Sequence, residues 1–468
     1  MDFTPIHEQS SSLVEFSPGS HFLLTAIRTR LVVRRSENLE ISRVWEEPPS
    51  DSPPPSTSRD RQSSAGPDAW ITHIGWSCDS EFILAAFAKK GVVNVHKMRD
   101  ESWKATIEAG VEGLSRAVWA PDGRHILCFS EWGLRVTIWS LTTGGATYIQ
   151  YPLHPERGWC FRKDGRYLLV AERVNSKDTL GIYDSSKGYQ LARQFSLPTS
   201  SLSSISISPR GNHVAAWENA LEYRLFILTL TGHVVATFTP DHDAGLGIRT
   251  VSWHPGGSFL AVGGWEEKIY ILNNVTWTPV AEIDLQARIP AGINIWRERF
   301  VSLDRSQSVG FLPYERLQTG VVPFVRRETG KPHPRTGVIQ LDWNVDGTLL
   351  LVRLENAPTS IYILHFPGPE EEFDPRLRSV LLHSQSILYA HWNPVRPGVL
   401  GISCGTGGLY TWSNEWMNDE GEEDEMAECV KIPADNFQVR DIKWSPDGKT
   451  MVLLDKTDFC CAAEVKEE

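Results

Sequence analysis

The side chains best suited to catalysis or metal binding are spread along this sequence without a useful spacing. Its 468 residues include 14 histidines and 7 cysteines, but they form neither His-Glu-x-x-His nor the paired cysteines of a zinc site. The glycine-rich phosphate-binding patterns are also absent from the sequence. Residues 405–408 (GTGG) come nearest, yet no helical segment follows, which predicts a hairpin loop. We therefore expect no catalytic residues, no metal and no cofactor, so the sequence is not that of an enzyme.

Side chains that typically anchor protein interfaces are found in three short segments. Residues 171–178 (AERVNSKD), 217–224 (WENALEYR) and 265–268 (WEEK) mix charges with Arg, Tyr and Trp, the residue types that dominate binding energy. The predicted partner-binding residues are Glu172, Arg173, Lys177, Asp178, Glu222, Tyr223, Arg224 and Trp265. The alternative is that these segments are ordinary hairpin tips carrying surface ion pairs.

Charge and composition exclude several classes of partner. The formal net charge is −12, and we find no extended basic patch of the kind that nucleic acid requires. No apolar run approaches the roughly 18 residues needed to cross a bilayer, so membrane insertion is not expected. Seven cysteines without paired spacing indicate reduced thiols in a cytosolic or nuclear protein.

A repeated turn must position whatever this chain binds. Residues 119–127 (WAPDGRHIL) place a Pro-Asp-Gly turn between two apolar runs, the pattern of an antiparallel hairpin. Related segments begin at Phe16, Trp76, Trp119, Phe161, Ile207, Trp253, Trp343, Trp392 and Trp444. Neighbouring copies lie 42 to 52 residues apart, except for 60 after Phe16 and 90 after Trp253. A period of about 40 to 45 residues is that of WD40 propeller blades.

The fold class predicted is therefore all-β, a WD40-type β-propeller of four-stranded antiparallel blades formed by residues 1–468. Nine turns predict about nine blades, and a seven-bladed ring with extra repeats is the alternative. The last repeat has three strands before the chain stops, so we expect residues near Phe3 to His7 to supply its outer strand and close the ring.

Three segments interrupt the repeat. Residues 46–69 are rich in Pro and Ser and are predicted to be a disordered loop. Residues 287–335 fill the long gap after Trp253, and they are either an irregular insertion, which we favour, or a degenerate blade. Residues 414–428 are predicted to be an acidic loop, because residues 415–428 contain eight acidic side chains and no basic one.

Four segments resemble a known family far more specifically than the turn does. Residues 119–141 (WAPDGRHILCFSEWGLRVTIWSL), 171–183 (AERVNSKDTLGIY), 221–238 (LEYRLFILTLTGHVVATF) and 246–277 (LGIRTVSWHPGGSFLAVGGWEEKIYILNNVTW) resemble the eukaryotic WD-repeat protein eight family, also named for its gene antisense to tumour-protein-fifty-three. The likeness runs from about Ser11 to Ala463. The two inserted loops depart from the family pattern and suggest a fungal member.

This resemblance implies a non-catalytic scaffold of the cytoplasm and cytoskeleton, located at the microtubule-organising centre (the spindle pole body or centrosome). It implies a coiled-coil partner of the SSX-interacting, satellite-anchoring type, and in yeasts a kinesin-fourteen motor, with which the family anchors microtubule minus ends and supports the mitotic spindle. The alternative is a WD-repeat adaptor in another assembly, a ubiquitin ligase or an RNA-processing complex.

Overall fold

The described residues form nine β-sheets arranged as the blades of one propeller. The structure is a computed structural model, and it describes residues 1–46, 70–242, 245–299, 311–312, 314–325, 335–368, 373–417, 423–434 and 436–464. Within these ranges the chain has no α-helix and four short 3-10 turns, at Ala88–Lys90, Gly110–Glu112, Glu131–Gly133 and Ser185–Lys187. The predicted all-β propeller of about nine blades is confirmed.

Strands are numbered along the chain, and blades in the order of their first strands. The N-terminal strands are β1 (Asp2–Phe3) and β2 (His7–Glu8). Blade 1 contains β3 (Val14–Phe16), β4 (Phe22–Ile27), β5 (Arg30–Arg35) and β6 (Ile41–Glu46); blade 2 contains β7 (His73–Trp76), β8 (Phe82–Phe87), β9 (Val92–Lys97) and β10 (Lys104–Glu108). Blade 3 contains β11 (Arg116–Trp119), β12 (His125–Phe129), β13 (Arg135–Ser140) and β14 (Ala146–Gln150); blade 4 contains β15 (Trp159–Phe161), β16 (Tyr167–Val174), β17 (Lys177–Asp184) and β18 (Gln190–Ser196).

The remaining blades follow the same order. Blade 5 contains β19 (Leu202–Ile207), β20 (His213–Glu218), β21 (Leu225–Thr229) and β22 (Val234–Phe238); blade 6 contains β23 (Ile248–Trp253), β24 (Phe259–Gly264), β25 (Lys268–Asn273) and β26 (Pro279–Asp284). Three additional strands follow, β27 (Asn294–Glu298), β28 (Phe311–Leu312) and β29 (Tyr314–Leu317). Blade 7 contains β30 (Val338–Trp343), β31 (Leu349–Leu354), β32 (Ser360–His365) and β33 (Arg376–Leu382); blade 8 contains β34 (Tyr389–Trp392), β35 (Val399–Ser403), β36 (Gly408–Met417) and β37 (Glu423–Lys431); blade 9 contains β38 (Asp441–Trp444), β39 (Thr450–Leu454) and β40 (Asp458–Ala463).

The hydrophobic core lies between blades rather than at the centre of the ring. Successive side chains of a strand point to opposite faces of its sheet, so each blade presents an apolar face to both neighbours. Nine clusters of buried residues result, each packed between two consecutive blades. One of them joins Val452 and Phe459 of blade 9 to Val14 and Leu23 of blade 1. The blades therefore form a closed ring.

The recurring tryptophan links each blade to the one before it. Trp119 Nε1 donates to the Gly75 carbonyl at 3.0 Å, and Gly75 is the residue before Trp76, its counterpart in blade 2. The same bond recurs in four other blades. In each, the tryptophan Nε1 donates to the carbonyl of the residue just before the matching turn residue of the preceding blade, at 2.9 to 3.3 Å; the donors are Trp76, Trp343, Trp392 and Trp444. The following turn needs a left-handed residue, supplied by Gly123 at φ 65° in blade 3. Trp119 is therefore architectural.

The N-terminus completes blade 9, as the sequence predicts. Asp2 and Phe3 pair antiparallel with Ala463 and Ala462, and β2 pairs with the start of the same strand, β40. Between β1 and β2, the Thr4 amide donates to the Cys461 carbonyl at 2.9 Å, and the Cys461 amide donates to Thr4 Oγ1 at 2.9 Å. Most of the edge of β40 is therefore paired, and the prediction is confirmed.

The segment between blades 6 and 7 adds strands to existing sheets. β27 runs parallel to β33, the outer strand of blade 7, and β29 pairs antiparallel with β27. β28 pairs with β37, the outer strand of blade 8. In the part of residues 287–335 that the structure describes, these strands extend two blades and form no sheet of their own.

The acidic segment is more ordered than predicted. The expectation of a loop over residues 414–428 is wrong for both flanks, because β36 extends to Met417 and β37 begins at Glu423. The cause is a tertiary contact, since the carboxylate of Glu425 is buried and accepts bonds from Trp296 Nε1 at 2.9 Å and Ser379 Oγ at 2.7 Å. The predicted disordered segment 46–69 lies, apart from Glu46, outside the described residues.

Candidate partner-binding face

The predicted binding residues share one side of the ring, here called the hairpin face. It carries the hairpins between the second and third strands of each blade and the connections that lead to the next blade. Backbone hydrogen bonds join these parts: the Arg173 amide donates to Tyr151 at 3.0 Å, and the Gly247 amide donates to Ala220 at 2.9 Å. Segments distant in sequence therefore form one continuous surface.

The blade 4 segment is a long two-stranded hairpin rather than a loop. Arg173 pairs with Asp178 and Val174 with Lys177 across a two-residue turn, in which Asn175 and Ser176 have φ of 50° and 61°. Positive φ at both central positions is typical of the hairpin turn that follows the strand twist. Arg173 and Lys177 are exposed.

The two acidic residues of this hairpin are buried, contrary to the expectation of exposed anchors. Glu172 is only 3% exposed and accepts hydrogen bonds from Tyr183 Oη at 2.5 Å and Gln194 Nε2 at 2.6 Å. Burial raises the pKa of Glu172. Asp178 is 1% exposed and accepts from the Leu202 amide at 2.8 Å. Buried carboxylates with such partners stabilise the fold, so neither side chain is free for a partner.

The blade 5 and blade 6 candidates are partly engaged. Glu222 and Arg224 form a surface ion pair of 3.2 Å, which contributes little stability on its own. Tyr223 is half-buried, with its ring 6.0 Å from that of Tyr270. Trp265 is also half-buried, and the Arg249 guanidinium lies 4.3 Å from the centroid of its ring. A role for these residues in binding a partner stays a prediction.

An exposed apolar surface, which the sequence did not predict, lies on blade 3 beside the blade 4 hairpin. Val111 is 105% exposed, Trp132 92%, Tyr151 58% and Leu134 42%; these four residues are called the blade-3 patch. The Tyr151 amide donates to the Leu134 carbonyl at 2.9 Å, which joins the connection after blade 3 to its hairpin. The signal in the sequence is Glu131-Trp132-Gly133, an aromatic residue where a hairpin tip should be polar.

Trp132 is held in an unusual backbone conformation. Its φ is 61°, a region that bulky residues other than glycine rarely adopt and that costs on the order of 1–3 kcal/mol. A large side chain that is solvent-exposed and attached to a strained backbone contributes little to the stability of the fold. Such outliers often mark a functional position.

Comparisons with known proteins agree with this architecture. Residues 226–273 match the family model described as WD domain, G-beta repeat. The chain is 32% identical to WD repeat-containing protein WRAP73 of Mus musculus, over 100% of this chain and 97% of that protein. The chain belongs to the WRAP73 family of WD-repeat proteins.

More distant relatives agree on the fold. An uncharacterized WD repeat-containing protein, C32H8.09 of Schizosaccharomyces pombe, is 22% identical over 80% of this chain and 75% of its own length. The C-terminal WD40 domain of Sif2 superposes with a TM-score of 0.51 at 11% identity, covering 92% of this chain and 99% of that domain. At such identity the Sif2 likeness shows the fold alone.

One cluster in this WRAP73-family chain has the residue types of a nucleophilic site. Cys404 Sγ lies 3.5 Å from His383 Nδ1, and Tyr410 Oη donates to Glu298 Oε1 at 2.8 Å nearby. Burial lowers the pKa of His383 to about 4 and raises the pKa of the Cys404 thiol. A nucleophilic cysteine needs the opposite, a low thiol pKa and a basic partner. The cluster is therefore part of the core between blades 7 and 8.

No enzyme family is indicated, and the WD40 fold is typically a non-catalytic scaffold. In the portion of the chain that the structure describes, no three His, Cys, Asp or Glu side chains are grouped so that they could hold a metal ion. A search of the same residues for a helix long and apolar enough to span a membrane finds none. All seven cysteines are free thiols, and Cys78 is exposed.

Proposed function

We propose that this protein is a non-catalytic scaffold of the spindle pole body or centrosome. It binds a coiled-coil protein of the SSX-interacting type, anchors microtubule minus ends with it and supports the mitotic spindle, and in fungi it works with a kinesin-fourteen motor. The observation that carries the proposal is the full-length likeness to WRAP73, taken with the family role expected from the sequence.

The exposed hairpin face is consistent with such a role. A closed nine-bladed ring holds its hairpins rigidly, and a partner helix can lie across several of them. The blade-3 patch exposes apolar side chains to solvent, whereas the apolar side chains of the core clusters are buried between blades. Exposed apolar patches on soluble proteins commonly mark interaction sites.

Localisation tests the proposal directly. We would fuse a fluorescent protein after Glu468, because the N-terminal strand pairs within blade 9 and a tag there would disturb it. The expected result is a focus that coincides with a γ-tubulin marker throughout mitosis. The fusion should also co-purify with a coiled-coil spindle-pole protein.

Other outcomes would contradict this assignment. A diffuse or nucleolar signal, or stable recovery of cullin or ribosome-assembly components in place of spindle-pole proteins, would identify the chain as an adaptor of another assembly.

Removal of microtubules by a depolymerising drug separates direct from indirect anchoring. A focus that persists at the pole indicates attachment through the partner.

A further inference from the structure

A cleft of about 930 Å³ opens on the hairpin face beside the blade-3 patch. Side chains from blades 2 and 3 and from the connection into blade 4 line it, among them His73, Arg116, Trp132, His154 and Arg157. Trp132 at the hairpin tip of blade 3 and residues 152–157 of the connection into blade 4 both line it. The cleft therefore places an exposed aromatic ring next to cationic groups.

Two arginines give the cleft its charge. Arg116 and Arg157 have no carboxylate within ion-pair distance among the described residues, whereas Arg173 pairs with Asp178 at 3.1 Å. The Arg116 guanidinium faces the ring of Trp159 at 5.8 Å instead. In a chain of net charge −12, two guanidinium groups without acidic partners form a local basic site.

His73 adds no charge to the cleft. Burial and the neighbouring Arg116 lower the pKa of His73, so its ring is neutral at pH 7, and Thr72 Oγ1 lies 3.0 Å from its Nδ1. His154 Nε2 lies 2.9 Å from the Leu202 carbonyl oxygen. Besides the imidazoles, the charged side chains that line the cleft are Arg116, Arg157 and one carboxylate, Glu156.

We propose that this cleft is the docking site for an acidic protein segment that carries an apolar anchor. The anchor packs against Trp132 and the blade-3 patch, and carboxylates of the segment pair with Arg116 and Arg157. The proposal deepens the proposed function by locating a partner site and giving the partner's chemistry. The two arginines of the cleft and the exposed ring of Trp132 determine this class of partner.

A protein segment fits better than nucleic acid. Single-stranded nucleic acid stacks on successive aromatic side chains along a continuous basic groove, and here the lining of the cleft combines one exposed aromatic ring, that of Trp132, with two arginines. The exposed carboxylates of Glu131 and Glu156 at the rim would repel an unbroken row of phosphates. A peptide can place a few carboxylates opposite Arg116 and Arg157 and avoid these two acids.

Trp132 allows a test in which loss of binding is separated from loss of folding. Replacement by glycine removes the anchor and relieves the positive φ, so Trp132→Gly should bind worse while its thermal midpoint stays the same or rises. Arg157→Glu tests the charge. Matched controls come from the opposite side of the ring: Arg99→Glu, at another large cleft, and Val275→Ser, an 82% exposed apolar residue in a turn.

The probes are fluorescein-labelled 15-residue amphipathic helical peptides, and the readout is fluorescence anisotropy. One peptide combines a leucine face with glutamates, a second replaces the glutamates by lysines, and a third replaces the leucines by serines. The glutamate–leucine peptide should bind at least about tenfold tighter than either of the others.

Trp132→Gly and Arg157→Glu should each weaken binding of the glutamate–leucine peptide about tenfold or more, and the control variants should leave its affinity unchanged. Added salt should weaken binding, because unpaired arginines attract the peptide.

Other results would overturn the proposal. Equal or tighter binding of the lysine peptide would remove the charge argument, and unchanged affinity of Trp132→Gly would remove the anchor. Displacement of the peptide by a single-stranded RNA 20-mer that binds more tightly would assign the cleft to nucleic acid.

The fusion used for localisation separates this inference from the proposed function. If Trp132→Gly still reaches the spindle pole with its coiled-coil partner bound at wild-type yield, the cleft is not the docking site and the proposed function stands. If the wild-type protein is absent from the pole but the peptide results hold, the docking site stands and the proposed function fails.

Discussion

At the scale of single residues, the recurring tryptophan has two separable roles, packing and hydrogen bonding. Five of the six turn tryptophans donate Nε1 to the preceding blade. The sixth, Trp253, has a buried Nε1 without an acceptor among the described residues, and its ring packs edge-on against Trp277. Replacement by phenylalanine keeps most of the packing and removes the N–H donor. Turn tryptophans with and without an Nε1 hydrogen bond can therefore be compared.

We predict that Trp119→Phe is more destabilising than Trp253→Phe. The first change leaves the Gly75 carbonyl without its donor, at a cost of about 1 kcal/mol or more. The second removes a buried donor that had no partner, which offsets part of the lost packing. Thermal midpoints of the two variants, measured side by side, test this. Equal midpoints would mean that packing alone explains the tryptophan.

The residue scale also shows where the sequence could not predict the site. The sequence predicted residues 171–178 to lie between two strands, but it could not show that the strands continue into this segment or that Glu172 and Asp178 are buried. Their partners Tyr183, Gln194 and Leu202 are 11 to 24 residues away. Tyr183 and Gln194 reach Glu172 within the sheet of blade 4, and the Leu202 amide reaches Asp178 when blade 5 packs against blade 4. Trp132 was overlooked because exposure is a property of the folded surface.

At the scale of elements, the turn was predictable because its chemistry is local. Pro, Asp or Gly within a few residues favours the geometry of each turn, and the nine copies correspond to nine blades. The strands between blades 6 and 7 carry no such turn, and their pairing is set by distant contacts. Glu425 on β37 accepts hydrogen bonds from Trp296 on β27 and Ser379 on β33, so one buried carboxylate joins three strands.

We predict that Glu425→Gln loosens the added strands. The amide replaces one acceptor oxygen by a donor, so at least one bond is lost at a cost of about 2 kcal/mol. Amide hydrogen exchange in peptides covering Asn294–Glu298 should accelerate, while blades 2 to 5 stay protected. Glu428→Gln, on the same strand and half-buried, is the matched control. Acceleration in both variants alike would show that Glu425 does not hold the strands.

At the scale of the whole molecule, the ring is closed by chain ends that are distant in sequence. Blade 9 takes β1 and β2 from the N-terminus and its other strands from the C-terminus. The cluster between blades 9 and 1 consists of buried apolar side chains, as the other clusters do. Ring closure therefore packs the apolar face of blade 9 against the apolar face of blade 1. The sequence predicted this because the last repeat lacks a strand and the first residues have a spare apolar segment.

Deletion of residues 1–8 should therefore weaken the entire ring. The edge of β40 would lose its paired strands, and Phe3 would leave the cluster between blades 8 and 9. We expect a thermal midpoint lower by roughly 5 °C or more and concentration-dependent aggregation, because an unpaired edge recruits other chains.

A synthetic peptide of residues 1–12 should restore the thermal midpoint and suppress the aggregation. The same peptide with Phe3 and Thr4 replaced by proline should do neither, since proline lacks the amide that pairs with β40. A truncated protein as stable as the full chain, or rescue by the proline peptide, would show that the ring holds without this strand.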